Sequence, residues 1–187
     1  MYKPYKPYPC SHCAKAPIYY PYRRNYDYGS YPYQYGYNTP TYCHPERRPM
    51  IRLKDYGPNP FVVNIEEATK QNQTFRTALW TGEYLQLTLM SINVGDDIGL
   101  EVHYDHDQFL RIEEGEGIVK MGDRKENLDF QKRVYDDYAI FVPAGKWHNL
   151  INTGQKPLKL YSIYAPPEHP RGTVHRTKED DVGHHGY

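Results

Sequence analysis

The chain has 187 residues, enough for one sizeable hydrophobic core, and its 23 basic and 23 acidic side chains give a formal net charge of zero. Because it shows no long basic stripe, nucleic acid is excluded as an expected partner. It has no run of about 18 apolar residues and no segment with signal-peptide character, so we expect no membrane association and a cytoplasmic protein.

The first 49 residues differ in composition from the rest of the chain. Thirteen of the 21 tyrosines and nine of the 16 prolines lie there, with almost no aliphatic residues. Such a segment cannot bury enough apolar surface to offset the entropy of ordering, so residues 1–49 are predicted to form a disordered arm. Its composition resembles that of bacterial spore coat proteins, which implies coat proteins as partners and the coat as an alternative location. A solvated low-complexity tail is the other interpretation.

A folded domain is predicted over residues 50–175, followed by a polar tail over residues 176–187. Its first element is a short helix. Asn64 is suited to act as the N-cap, because Glu67 follows three residues later in the pattern of a capping box. We expect this helix to end at about Gln71 and to have a structural role only.

A hairpin is predicted after the helix. Residues 75–80 and 84–92 have the alternation of two strands, and a glycine-containing turn joins them. In the second strand Leu85, Leu87 and Leu89 fall on one face, against polar neighbours. We expect these three leucines to line the interior of the domain.

Later segments continue the pattern of short strands separated by glycine- or proline-containing turns. They cover residues 108–113, 139–142, 147–152 and 159–164. Many short strands with almost no helix predict an all-β barrel or jelly roll. Residues 164–175 are too rich in proline for regular structure. They are predicted either to form a lid, from which His169 or His175 would reach the mouth of the barrel, or to wrap the surface.

Two segments carry residues with metal-ligand chemistry. If residues 99–103 are extended, Glu101 and His103 project from one face, because alternate residues of a strand share a face. Gln108 opens the next strand, and His148 opens a later one beyond a proline–glycine turn. Two imidazoles, a carboxylate and an amide form a shell for a divalent first-row metal ion, with one or two positions left for water or substrate. Gln108 either ligates the ion or hydrogen-bonds a metal-bound water.

The remaining histidines are predicted to be ordinary core or surface residues. Those that follow residue 49 are His106, His169, His175, His184 and His185. His106 falls in the turn between the two motif strands and out of phase with His103, so we expect it to contribute little.

The spacing of the candidate ligands resembles the two sequence motifs of the cupin superfamily. Here the motifs read Gly95-x5-Glu101-x-His103-x4-Gln108-x6-Gly115 and Asp137-x5-Pro143-x-Gly145-x2-His148-x3-Asn152. Glu101 stands in place of a family histidine, Gln108 in place of a glutamate and Asp137 in place of a glycine. The resemblance to small single-domain bacterial cupins implies one cupin barrel, a double-stranded β-helix or jelly roll. It also implies a divalent Fe, Mn, Zn or Ni ion held by Glu101, His103, Gln108 and His148.

The cupin resemblance and the composition of the arm leave functions from three classes open. The first is a metal enzyme acting on a small oxygenated molecule, with Glu101 as ligand or catalytic base. One version is similar to type I phosphomannose isomerases, cupins whose metal binds a glutamine, a glutamate and two histidines. The other is similar to dioxygenases with two histidines and one carboxylate at ferrous iron. The second class is a module that binds a small ligand without turnover. The third is a structural component of a spore coat, and a homodimer is expected as a further partner.

Overall fold

The structure is a computed structural model and describes residues 50–181. The predicted arm over residues 1–49 lies outside the described residues, as do residues 182–187 of the predicted tail. The compact unit that contains the described part of the chain begins at Met50.

Antiparallel strands make up most of the regular structure between residues 50 and 181. The elements are α1 (Ile65–Gln71), β1 (Arg76–Thr81), β2 (Gln86–Ile92), β3 (Asp107–Glu114), β4 (Glu116–Gly122), β5 (Phe130–Tyr135), β6 (Ala139–Val142), β7 (Trp147–Asn152), β8 (Leu158–Ala165) and β9 (Val174–His175). One sheet has the order β6-β3-β8-β2-β1-β9 and the other the order β5-β4-β7. This arrangement confirms the predicted all-β jelly-roll barrel, in which segments distant in the chain become neighbours.

Helix α1 begins and ends where the sequence predicts. The Oδ1 atom of Asn64 accepts a hydrogen bond from the N–H of Glu67 at 3.2 Å, as an N-cap should. At the other end the N–H of Asn72 donates to the carbonyl of Ala68 at 3.2 Å. Ala68 is fully buried and packs with Leu89 of β2. Among the described residues, no helix has the length and apolar character that a membrane crossing requires.

The main hydrophobic core lies between the two sheets. Burial of each large apolar side chain contributes on the order of 1.5–3 kcal/mol. The core consists of Phe75, Met90, Ile92, Ile98, Leu110, Ile112, Val119, Met121, Val134, Ile140, Val142, Leu150, Leu158 and Leu160. On β3, Gln108 shares a face with Leu110 and Ile112 and is itself 3% exposed. The inner face of β3 therefore changes from apolar to polar toward the end that carries the predicted ligands.

The predicted position of the β2 leucines is wrong. Leu89 belongs to a second apolar cluster, Leu87 packs against that cluster, and Leu85 is 39% exposed. Met90, on the opposite face of β2, faces the main core instead. Both faces of β2 are covered, because α1 and residues 51–65 pack on its outer side. Alternation therefore shows which residues share a face but not which face is the inner one.

The segment after β8 returns along β1. Its short strand β9 pairs antiparallel with β1, and Arg76 lies opposite His175. The sequence predicts no regular structure for residues 164–175, so β9 is a difference from that prediction. Beyond β9, Arg76 Nη2 donates to Asp181 Oδ2 at 2.9 Å, and the two side chains are 0% and 5% exposed. Residues 176–181, which the sequence assigns to the polar tail, therefore contribute a buried ion pair to the folded domain.

Candidate metal centre

The backbone brings Glu101 and His148 together. The N–H of Glu101 donates to the carbonyl of His148 at 3.1 Å, and the N–H of His148 donates to the carbonyl of Glu101 at 2.9 Å. Residues paired in this way across an antiparallel bridge project their side chains to the same face. The N–H of Gly145 also donates to the carbonyl of His103 at 2.6 Å. The turn before β7 is thus held against the segment that carries Glu101 and His103.

Three of the four predicted ligand side chains lie together. His148 Nε2 is 3.2 Å and His103 Nε2 is 3.5 Å from the same oxygen, Glu101 Oε1. One donor atom from each residue lies within 4.8 Å of the donor atoms of the other two. The side chains of His148, His103 and Glu101 are 1%, 6% and 11% exposed. A buried set of two imidazole nitrogens and one carboxylate oxygen is a donor set that suits first-row divalent ions. We call these three residues the three-donor group.

The ring of His148 has a defined orientation. Its Nδ1 lies 3.0 Å from the carbonyl oxygen of Lys146. A carbonyl oxygen only accepts hydrogen bonds, so this contact suits a proton on Nδ1, and with that tautomer Nε2 is available to a bound ion. Metal-binding histidines generally show this arrangement, in which the second ring nitrogen donates to an oxygen.

Burial and neighbouring charges act in opposite directions on the ionisation of the site. Burial raises the pKa of Glu101, but its contacts with His103 and His148 and the charge of Arg76 outweigh burial, and the pKa lies well below its usual range. Burial lowers the pKa of His103, whereas the carboxylates of Glu101 and Glu168 raise it by more, and the net shift is upward. Glu101 is therefore anionic at neutral pH and supplies negative charge for a bound cation.

Gln108 lies beside this group with one amide atom unused. Its Nε2 donates to Ser162 Oγ at 3.0 Å. Its Oε1 is buried and accepts no hydrogen bond from any residue between 50 and 181. In the sheet Gln108 is paired with Tyr164, whose ring meets that of His103 edge-on at 5.9 Å. A buried amide oxygen in this position suits a cation or its bound water. Direct ligation by Gln108 stays a prediction.

The site is contacted by two further residues, His106 and Glu168, which are not among the predicted ligands. The expectation that His106 is out of phase with His103 is wrong, because their rings stack with centroids 4.5 Å apart and planes 25° apart. Glu168, from the segment after β8, lies 3.6 Å from His103 Nδ1 and 3.5 Å from His106 Nε2. The turn that carries His106 folds back, so the two-residue period of a strand does not apply there. Glu168 has no sequence signal, because its segment has no periodicity.

The segment after β8 meets the site through Glu168, and its two histidines contact Tyr164 and Asp181. His169 packs edge-on against Tyr164 with ring centroids 5.2 Å apart. His175 Nδ1 lies 2.7 Å from Asp181 Oδ1. Neither histidine belongs to the three-donor group. Glu168, the residue next to His169, makes the contact of this segment with the rings of His103 and His106.

The basic side chains nearest the motifs are already engaged. Arg76 is fully buried, and its guanidinium donates to Asp181 through both Nε and Nη2. Arg111 points out of the barrel, and its Nη2 lies 2.5 Å from Asp137 Oδ1. Lys146 contacts an exposed aspartate. Each of these three cations therefore already contacts a carboxylate of the chain.

Known proteins resemble this chain over the region that holds the site. Residues 88–164, which include the three-donor group, match the Cupin domain family. YrkC of Bacillus subtilis (strain 168) is 72% identical over 132 residues, which span 71% of each chain. A protein of Acanthamoeba polyphaga mimivirus is 40% identical over 115 residues, spanning 61% of this chain and 70% of the relative. The crystal structure of BH2720 from Bacillus halodurans superposes with a TM-score of 0.69 at 66% identity, covering 70% of this chain and 98% of that one.

Proposed function

Because this chain belongs to the cupin superfamily, we propose that it is a metal-dependent enzyme in which Glu101, His103 and His148 hold a divalent first-row ion that acts on a small oxygenated substrate. The observation that supports this proposal most is the three-donor group itself. Its residues come from both motifs, and their donor atoms lie buried and within 4.8 Å of one another. Three protein donors leave coordination positions for water or substrate, unlike the closed shell of a structural site.

Residues around the three-donor group prepare it for such an ion. The carbonyl of Lys146 orients His148, and the hydroxyl of Ser162 orients the amide of Gln108. When bound, a divalent ion supplies Lewis acidity and a template that orients the substrate. Glu101 contributes negative charge, and as a ligand it is not available as the catalytic base at the same time. A base is therefore expected elsewhere on the chain or on the substrate.

Of the two enzyme versions, the oxygenase-like one has the better support. Two histidines and one carboxylate with open positions form the donor set typical of non-haem ferrous oxygenases. A sugar phosphate would require a cationic side chain, and Arg76, Arg111 and Lys146 each contact a carboxylate instead. The substrate class is therefore a small oxygenated molecule without a phosphate, with dioxygen as co-substrate.

A sugar isomerase is the second candidate, and one observation favours it. The Oε1 atom of Gln108 is buried without a hydrogen-bond donor among residues 50–181. With that oxygen as a fourth donor, the shell becomes a glutamine, a glutamate and two histidines, the set that resembles type I phosphomannose isomerases. The two candidates differ in their need for oxygen, since an isomerisation leaves the oxidation state of the substrate unchanged.

The test starts from the full-length chain purified without chelators. Its metal content is measured by mass spectrometry, and the metal-free chain is reloaded anaerobically with Fe, Mn, Zn or Ni. Each form is then incubated with hydroxy acids, phenols, sugars and sugar phosphates. Oxygen uptake coupled to substrate loss supports the oxygenase, whereas aldose–ketose conversion that persists without oxygen supports the isomerase. A chain that takes up no stoichiometric ion under any loading condition contradicts both.

The arm supports a separate proposal about location. Its 13 tyrosines and nine prolines in residues 1–49 favour attachment of the enzyme to a bacterial spore coat. Isolated spore coats should retain the full-length chain more strongly than a chain that lacks residues 1–49. Equal retention of the two chains contradicts the attachment and leaves the proposed enzyme function untouched.

A further inference from the structure

The carboxylate of Glu168 spans two stacked imidazoles. Its Oε1 lies 3.6 Å from His103 Nδ1, and its Oε2 lies 3.5 Å from His106 Nε2. The rings have centroids 4.5 Å apart and planes 25° apart. The two imidazoles are 6% and 1% exposed, and the Glu168 side chain is 25% exposed. Each carboxylate oxygen therefore faces one ring nitrogen of a buried histidine pair.

The relative orientation of the His103 and His106 rings determines which kind of partner their two nitrogens can bind. The N–H bonds and lone pairs of an imidazole lie in the plane of the ring, so nearly parallel stacked rings present their nitrogens side by side. Side-by-side donors match the two oxygens of one carboxylate, as in other bidentate pairs. A metal ion would need lone pairs that converge on one point. Although the three donor atoms lie within 4.8 Å of one another, a carboxylate bridge fits the ring orientations better than a second ion.

The opposite nitrogens of the two rings face different partners. His106 Nδ1 lies 2.9 Å from Asp105 Oδ1, so this ring is held between two carboxylates. His103 Nε2 faces Glu101 at 3.5 Å. A proton on His103 Nδ1, directed to Glu168, leaves the lone pair on Nε2 directed into the three-donor group.

The position of Glu168 is fixed through the next residue. The N–H of His169 donates to Gln86 Oε1 at 2.9 Å, and Gln86 Nε2 donates to the carbonyl of His169 at 2.8 Å. Gln86 is fully buried on β2. This reciprocal pair attaches the irregular segment to the six-stranded sheet one residue away from Glu168. The carboxylate therefore has a defined place in the folded domain.

We propose that Glu168 is a positioning residue for the metal site. Its carboxylate orients the ring of His103 through Nδ1, so that Nε2 of His103 faces the ion. The ring of His106, stacked on that of His103, supports this orientation. The proposal rests on the proposed function and concerns a residue outside both sequence motifs. Loss of a carboxylate partner of a metal-binding histidine typically lowers metal affinity about 10–100-fold. A glutamine at this position offers an acceptor to only one of the two rings.

The test compares full-length wild type with Glu168→Gln, Glu168→Ala and a control, Glu179→Gln, which changes an exposed glutamate of the same segment. Cobalt(II) is the probe: a competition titration gives affinity and stoichiometry, and the visible absorption spectrum reports the coordination. Nitrogen-15 NMR of the metal-free chain reports the tautomer of His103. We expect Glu168→Gln to bind cobalt about 10-fold more weakly, with an altered spectrum and a mixed His103 tautomer. The control should match wild type. His106→Phe keeps a stacked ring and should weaken binding less.

Each alternative outcome has a separate meaning. Wild-type affinity, spectrum and tautomer in Glu168→Gln, together with lost binding in His103→Ala, overturn the positioning role and leave the metal site standing. Two cobalt ions in wild type and one in Glu168→Gln overturn it in favour of a second ion. No binding by wild type contradicts the proposed function itself and the positioning role with it. Should Glu168→Ala not fold, the isosteric glutamine variant and the melting temperature of its metal-free form still decide the question.

Discussion

Glu101 and His148 exchange both backbone hydrogen bonds, at 3.1 and 2.9 Å, so two proposed ligands from separate motifs are held in one fixed register. The distance between their side chains is therefore set by the backbone of the barrel. A site that is supported in this way needs little rearrangement when an ion binds, which favours tight binding. Because the pairing uses backbone atoms only, a substitution of a ligand side chain can change metal binding without changing the fold.

The first prediction concerns such a substitution. His148→Ala removes one nitrogen donor but leaves the backbone pair with Glu101, so metal retention should fall by about 10-fold or more while the barrel stays folded. Metal content after dialysis and the circular dichroism spectrum measure the two effects. Lys132→Ala, an exposed change on β5, is the control and should alter neither. Unchanged metal content in His148→Ala would contradict the assignment of this ligand.

Periodicity and turn chemistry predict much of the fold because they act locally. The bounds of β6 and β7 and the cap at Asn64 follow from alternation, from a proline–glycine turn and from a capping pattern. The face of β2 that points inward does not follow, because Leu89 and Met90 are both buried on opposite sides of the sheet. Which of two apolar faces is the inner one depends on what packs outside, and a single strand carries no record of it.

Some residues of the candidate site could likewise be predicted from the sequence, and others could not. The spacing of Glu101 and His103 and the strand that begins near His148 bring three predicted ligand residues together. The contact of His106 and Glu168 with the site could not be predicted, for physical reasons. One lies in a turn that folds back on its strand, and the other lies in an irregular segment whose path is set by contacts with the sheet. Contacts between segments far apart in the chain have no spacing rule.

A second prediction concerns the buried pair of Arg76 and Asp181. Asp181→Ala leaves an unpaired buried guanidinium, so the free energy of unfolding should fall by about 3–5 kcal/mol. Chemical denaturation measures it, with Glu179→Ala as an exposed control. The double variant Arg76→Met with Asp181→Leu should recover part of the loss, because it removes both charges. Equal stability of wild type and Asp181→Ala would show that residues 176–181 do not contribute to the folded domain.

The third prediction is a pH dependence at Asp55. Burial raises the pKa of this carboxyl, but hydrogen bonds from Thr81, Gly172 and Gly57 outweigh burial, and the pKa lies below its ordinary value of 3.8. A group with a lowered folded-state pKa stabilises the fold above its unfolded pKa and loses that effect as the pH falls through the folded value. Asp55→Asn should therefore be less stable than wild type at about pH 6 and closer to it at about pH 3. Urea unfolding at both pH values measures the difference, and a gap that stays constant would contradict the role of the charge.

The last prediction concerns Asp137, which stands where the cupin motif has a glycine. Its φ of 69° is in the left-handed region, which costs most residues about 1–2 kcal/mol and glycine nothing. Its ion pair with Arg111 is exposed and contributes about 0–1 kcal/mol, so the backbone effect should exceed the loss of the charge. Asp137→Gly should be as stable as wild type or more stable, and Asp137→Ala should be about 1 kcal/mol less stable than Asp137→Gly. Thermal and urea unfolding measure both variants. Equal stability of the alanine and glycine variants would show that the turn relaxes, and that the charge of Asp137 rather than its backbone conformation explains its place in the motif.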